Sequence, residues 1–301
     1  MSGRFEGWYY KHNANGKTLA LIPGKAVDKA FVQVVTDSRA YNIPYSLDEY
    51  HLNGDVLRVG GNIFSKYGVT LDIQNSDLML SGEIKYSNLT PIHGDIMGPF
   101  RFFPMECRHG IISMNHTLTG AVMLNGEIYD FTNGCGYIES DSGRSFPQGY
   151  TWVQCNDFEN CSITTPKNGI ETAQGIATRF SRAAVMCAVA RIPFYGLKFW
   201  GCICVVHLNG REYRLATYNG VKILRCEPGV IALKRGKYRL IIEINANEGH
   251  MLPAPRFGKM SHAICESLSC AARFRFMEGN RILFDGESNF ASYEYEPEQN
   301  V

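Results

Sequence analysis

Apolar and polar residues alternate in short runs along most of this chain, and residues that turn the backbone separate the runs. GWYYKHN, KTLALIPG, AFVQVVT, DEYHLNG, VLRVGG, GVTLDIQ and LMLSGEIKY follow one another in this way up to Tyr86. Later runs are GIISMNHTLTGAVML, EIYDFTNG, YTWVQCN, VMCAVARI, GCICVVHL, REYRLATYNG, KYRLIIEIN, AARFRF and ASYEYE. A period of two residues sends alternate side chains to opposite faces, so each run predicts a β-strand. Asn15-Gly16, Asn125-Gly126 and Asn209-Gly210 lie between such runs and predict tight hairpins, because both residues adopt the positive φ that the turn requires. Sustained helical periodicity is missing. Residues 178–192 have some helical propensity, but Val185 to Ile192 reads better as a buried strand. Cys161 to Gln174 is polar, contains Pro166 and Gly169, and reads as an exposed loop.

The pattern therefore predicts an all-β protein. Phe146-Pro147-Gln148-Gly149 interrupts the strands near mid-chain, which predicts two β-barrel or sandwich domains, 1–148 and 149–301. Each half opens with a tryptophan on a strand, Trp8 and Trp152, a hint of duplication.

Composition narrows the function classes. Thirty basic residues balance twenty-nine acidic ones, giving a formal charge of +1, so nothing points to nucleic acid. No apolar run approaches the ~18 residues of a membrane span, and at most peripheral membrane contact is expected. The N-terminus lacks the pattern of a secretory signal, which makes a cytoplasmic location the expectation. Ten cysteines scattered without export features read as reduced thiols, and Cys202 and Cys204, on one strand face, as small apolar residues rather than zinc ligands. Phosphate-binding loops, dinucleotide fingerprints, HExxH and GxSxG are all missing. No cofactor or metal is called for, and the sequence is silent on oligomeric state.

Chemistry is concentrated in YIESDSGRSFPQGYTWVQCNDF, residues 137–158. Tyr150, Trp152, Gln154 and Asn156 share one strand face, suited to gripping an apolar ligand and fixing its polar end. An ordinary core strand whose amides cap backbone would look the same. His109 and His116 are seven residues apart, which places them on opposite faces of a regular strand, so a metal pair would need a bulge. Either could act as a general acid. The carboxylates beside aromatic residues are Glu6, Glu106, Glu139, Asp141 and Asp157. A buried, protonated acid among them could protonate an alkene. The alternative is an ordinary ion pair, as between Asp141 and Arg144 or Glu106 and Arg108.

The same segment resembles the tocopherol cyclase family through Tyr137, Glu139, Gly143, Phe146, Pro147, Trp152, Val153, Gln154, Cys155 and Asn156. Phe103, Pro104, His109, Leu118 and Gly120 extend the likeness upstream, EGWYYK near the start, and LPAPRFGKM with Ser288 to Glu294 near the end. The resemblance implies two packed lipocalin-like β domains, an architecture that also resembles carotenoid hydratases and some lipocalin-like pericyclases. It implies closure of a chroman ring by protonation of a prenyl double bond, with no redox cofactor. Ser140, Asp141 and Ser142 stand where the family has Lys-Asn-Trp, a departure that bears on the substrate.

The expected function is thus that of a cofactor-independent cyclase or isomerase acting on a hydrophobic isoprenoid or prenylated aromatic. The expected catalytic residues are Glu139, Asp141 and His109, and the expected ligand-binding residues are Trp8, Tyr10, Phe146, Tyr150, Trp152, Gln154 and Asn156. The competing readings are an isoprenoid hydratase and a non-catalytic lipocalin-like carrier of an apolar molecule.

Overall fold

The structure, a computed structural model, describes residues 3–165, 169–174, 183–194, 196–246 and 248–298. The alternating runs become antiparallel strands, with only short 3-10 turns between them among the described residues. Asn15-Gly16, Asn125-Gly126 and Asn209-Gly210 sit at hairpin tips, each with both residues at positive φ, as their chemistry requires. The chain is all-β and divides into two units, each built on one large sheet and consistent with a lipocalin-like domain.

The first unit contains residues 1–92, 106–146 and 250–263. Its sheet begins with β1 (Phe5–Ala14), β2 (Lys17–Lys25), β3 (Ala30–Thr36) and β4 (Ala40–Tyr45). It continues through β5 (Tyr50–Asn53), β6 (Val56–Val59), β7 (Asn62–Ser65), β8 (Gly68–Gln74) and β9 (Met79–Ser87). The long β10 (Cys107–Leu124), the short β11 (Glu127–Asp130) and β12 (Cys135–Gly143) complete it. The strand order is β4-β3-β2-β1-β12-β10-β9-β8-β7-β6-β5, with β11 on β10. Leu19, Leu21, Val32, Val34, Phe64, Leu71, Ile84, Leu118 and Ile138 form its core on one face. The sheet curls around that core: Asn62 of β7 donates to the Tyr45 hydroxyl of β4 at 3.0 Å, although these strands lie near opposite ends of the order.

The second unit contains residues 93–105, 147–249 and 264–301. Its strands are β13 (Tyr150–Cys155), β14 (Asn160–Thr165), β15 (Gly169–Gln174), β16 (Ala183–Phe194), β17 (Leu197–Leu208) and β18 (Arg211–Arg214). They are followed by β19 (Lys222–Glu227), β20 (Val230–Arg235), β21 (Tyr238–Asn245), β22 (His250–Arg256), β23 (Lys259–Glu278) and β24 (Arg281–Glu296). β22 and the start of β23 belong to the first unit. The main order is β18-β17-β16-β13-β24-β23-β21-β20-β19. Val153, Val185, Val206, Leu240, Phe274 and Phe284 lie in its core, with Cys187, Cys202, Cys204 and Cys270 packed there as small apolar side chains.

Two details refine the sequence reading. Residues 161–174, expected to be a loop, include both strands of a hairpin: Asn160 to Ile163 pair with Glu287 to Phe284, and Ile163 is buried. Long-range pairing to β24 outweighs the polar local composition there. The paired tryptophans have a topological counterpart, since β1 lies between β2 and β12 while β13 lies between β16 and β24. In each unit the opening strand is joined to the next strand on that path and to the unit's last long strand. Residues 183–192 are strand, and 175–182 lie outside the described residues.

Candidate functional site

β12 has two unlike faces. Ile138 points into the first core, so the period of two turns Tyr137, Glu139 and Asp141 to the opposite side. The register brings His109 of β10 beside Asp141 and Ile111 beside Glu139, while Tyr9 and Lys11 of β1 lie beside Glu139 and Tyr137. Neighbours at such positions are within reach of one another's side chains.

His109, Glu139 and Asp141 meet there. His109 Nδ1 lies 3.0 Å from Asp141 Oδ1, and its Nε2 lies 3.3 Å from Glu139 Oε2. The first contact is a hydrogen bond; the second is close but poorly aligned, leaving Nε2 without a hydrogen-bond partner. The Tyr137 hydroxyl donates to Glu139 Oε2 at 2.5 Å, and the Cys107 thiol approaches Asp141 Oδ1 at 3.5 Å. Glu139 is only 5% exposed, and Tyr137 is fully buried. Burial alone would lower the affinity of His109 for its proton, but Asp141 and then Glu139 outweigh it and hold the imidazole well above its usual range. His109 is therefore an imidazolium at neutral pH. Burial, then Glu139, pushes the Tyr137 phenol well up, so it stays a donor.

The donor atoms of His109, Glu139 and Asp141 lie within 4.8 Å of one another, close enough to surround a small cation. A metal would require a neutral imidazole, and the raised proton affinity of His109 works against that exchange.

Gly143 closes this end of the site. It pairs with Cys107, and a Cβ at Gly143 would lie 2.0 Å from the Glu106 carbonyl oxygen and 2.9 Å from Cys107 Cα. Gly143→Ala must push β10 away from β12 and draw His109 off Asp141. The expected result is a loss of about 1–3 kcal/mol of stability, measured by urea unfolding, together with a fall in the affinity of His109 for its proton, measured by NMR titration.

The other candidates lie elsewhere. Tyr10 points into the first core, with its ring 5.7 Å from Phe64 and 6.4 Å from Tyr86, and the half-buried Trp8 packs against the same core. Both are on the opposite face of β1 from Tyr9, so the structure does not bring them to the His109 cluster. Phe146 meets Phe5 edge-on at 5.5 Å. Tyr150, Trp152 and Gln154 are buried on β13 of the second unit, on the face away from Val153 and Cys155, and Asn156 is buried just past the end of that strand. Tyr150 donates to Glu294 at 2.6 Å, whereas neither amide atom of the fully buried Gln154 has a hydrogen-bond partner. Glu6 has a structural setting, accepting from Tyr50 at 2.8 Å and pairing with Lys25 at 2.9 Å. Asp157 is buried, Glu106 is exposed, and Asp141 bonds to His109 while Arg144 is exposed. An open groove of about 500 Å³ in the second unit, with Glu159, Glu243, Arg273 and Glu287 on its walls, holds none of these candidates.

His109 and His116 do lie on opposite faces. His116 joins His12 and Tyr86 on the core side: the rings of Tyr86 and His116 are 4.4 Å apart, and His12 Nε2 is 2.5 Å from the Tyr86 hydroxyl. Sequence reading missed Tyr9, Lys11, Ile111 and Cys107 as neighbours of the carboxylates. The signal available for Tyr9 and Lys11 was their parity on β1, which becomes informative only once the core face is known.

A family model described as tocopherol cyclase-like matches residues 93–201. Among solved structures, CghA aligns with a TM-score of 0.60 at 6% identity, covering 100% of this chain and 90% of its own; CghA with Sch210972 aligns at 0.59, also at 6% identity and the same coverage. An AttH-like protein from Nitrosomonas europaea aligns at 0.53 with 12% identity, covering 98% of this chain and 93% of its own. At these identities the alignments establish a shared fold. The matched segment contains His109, Glu139 and Asp141 on β10 and β12 as well as Trp152 on β13, and through it the chain is similar to the tocopherol cyclase-like family.

Proposed function

We propose that the protein is a cyclase or isomerase that closes a ring on an apolar isoprenoid or prenylated aromatic substrate, with His109 as the proton donor. The observation that carries this reading is the geometry of His109: Nδ1 is held by Asp141 and Nε2, buried beside Glu139, has no hydrogen-bond partner, while the two carboxylates favour the protonated ring. A buried N–H of that kind is available to a substrate group. The tocopherol cyclase-like match supports the reaction class, and Sch210972 in the structure of CghA supports a scaffold that holds small molecules.

In the proposed step Nε2 gives its proton to one alkene carbon, the substrate hydroxyl oxygen bonds to the other, and the hydroxyl proton passes to Glu139. Transfer from Glu139 Oε2 to Nε2, across 3.3 Å, restores both groups. Adding O–H across a double bond is redox-neutral, so the step consumes no redox cofactor. The strong hold of His109 on its proton keeps the ring loaded but makes it a weak acid. Oxygen attack concerted with protonation avoids a free carbocation, and the two carboxylates favour positive charge as it develops.

Incubation with a prenylated hydroquinone in heavy water is expected to yield a cyclised product with one deuterium on the former alkene carbon. A product heavier by one water would transfer the reading to a hydratase. No turnover, with an apolar molecule bound stoichiometrically to the purified protein, would replace it with a carrier.

A further inference from the structure

We propose that Asn13 holds the far end of the substrate through an amide group, a primary carboxamide or lactam, about 20 Å along the sheet from the reacting alkene; the inference rests on the reading of His109 as proton donor. Strand parity puts both ends on one face. Tyr10 and Ala14 of β1 enter the first core, so Tyr9, Lys11 and Asn13 point to the other side. Asn13 pairs with Cys135, on the side of β12 that also carries Tyr137, Glu139 and Asp141. From Cys135 to Asp141, beside which His109 lies, β12 covers about 20 Å.

Asn13 stands out on this face because its amide is buried to no structural end. The side chain is 1% exposed, and neither its nitrogen nor its oxygen has a hydrogen-bond partner. A carboxamide brings two N–H donors and an accepting oxygen, and taking them out of water without partners costs stability. The backbone offers no relief. At this residue β1 is paired with β12 on one side and with β2 on the other, which commits the main-chain groups nearby to the ladder. The flanking side chains in the row, Thr18 and Cys135 with Thr117 beyond, are no longer than that of Asn13. The amide therefore projects from the sheet as far as anything in its row.

Hydrogen-bonding capacity selects the occupant. An Asn side chain presents an N–H donor and a carbonyl acceptor side by side in one plane. The group that answers both at once is another amide with its N–H and C=O on the same edge, as in a primary carboxamide or a lactam, joined through two parallel hydrogen bonds. An ester accepts but cannot donate, and a carboxylate only accepts, so each leaves the Asn13 oxygen unanswered. With the amide at Asn13 and the alkene at His109, the substrate is elongated, its two functional groups at opposite ends of the face.

The test is calorimetric titration of the full chain with two probes of equal length, the primary carboxamide of an acid of four isoprene units and its methyl ester. The amide is expected to bind at least tenfold more tightly, because a site built to hydrogen-bond a donor rejects the analogue lacking it. Asn13→Leu keeps the branching at Cγ without the polar atoms and should bind both probes alike. Asn13→Thr suits a strand and stands in should the leucine variant fail to fold; with no carboxamide to pair, it should lose the preference too. Equal binding of the two probes by the unaltered protein, or an undiminished preference in either folded variant, would overturn the proposal. Neither probe has to react. A preference for the amide that depends on Asn13 supports this site even if turnover fails and the role of His109 falls, whereas turnover without any such preference overturns the site and leaves His109 in place.

Discussion

His109→Asn is expected to lower turnover by about 10²–10⁴-fold, the range that a positioned general acid contributes. The substitution also leaves two carboxylates on a largely buried face without their cation, which endangers folding. Two companion variants separate these effects. Asp141→Asn keeps an oxygen that can accept the His109 Nδ1–H but removes its charge, one of the two that hold the proton on the ring. His109 is active when protonated, so activity is lost as pH rises through its pKa. Removing Asp141's charge must therefore move that alkaline limb to lower pH, with substantial activity remaining below it. Glu139→Gln removes both the second charge and the base that takes the substrate hydroxyl proton. It should lose turnover about as severely as His109→Asn, even at pH values where the ring is protonated. Steady-state rates across pH for folded protein, verified by circular dichroism, distinguish the three roles. Full turnover by folded His109→Asn would sink the assignment.

Much of the architecture is legible because alternation and Asn-Gly turns are local properties. GVTLDIQ predicts β8, and its burial alternates residue by residue. The side of β12 that carries chemistry is harder to read. Period two groups Tyr137, Glu139 and Asp141, but their meeting with His109 depends on a register between distant strands and on irregularities in β10 between Ile111 and His116. Tyr10 illustrates the limit. It shares an apolar character with Tyr9, yet one enters the core and the other faces the carboxylate, and β1 is mostly buried on both sides. Burial on both sides likewise removes the contrast along β3 and β13. For residues 161–174 the decisive partner, β24, lies more than a hundred residues downstream, beyond the reach of composition.

Acidification from pH 7 to pH 4 is expected to remove about 6 kcal/mol from stability through two buried histidines alone, comparable with the entire stability of many domains. His12 Nδ1 lies 3.1 Å from the Leu19 carbonyl, which can only accept, so Nδ1 carries the hydrogen and Nε2 accepts from Tyr86. Ser113 donates to the Asn115 carbonyl at 2.8 Å, so His116 Nδ1, 3.2 Å away, is the donor to Ser113. That leaves His116 Nε2 as a bare lone pair against Gly136, where a mere Cβ would approach to 2.3 Å. Both rings are thus built in as neutral tautomers. Burial lowers His12 from 6.5 to about 4 and His116 from 6.5 to about 3. The unfolded chain takes up these protons below pH 6.5 while the folded chain refuses them, so stability falls as pH falls through that window. His109 has the opposite sign: its raised affinity contributes fully below pH 6.5 and is lost only as pH rises through its folded value. His12→Gln and His116→Gln should each reduce the pH dependence of unfolding free energy between pH 6.5 and 4 by about one proton, roughly 1.4 kcal/mol per pH unit, whatever the acidic residues contribute to both proteins. Urea unfolding at a series of pH values measures this slope. A slope unchanged in either variant would mean that its histidine already carries a proton in the folded protein.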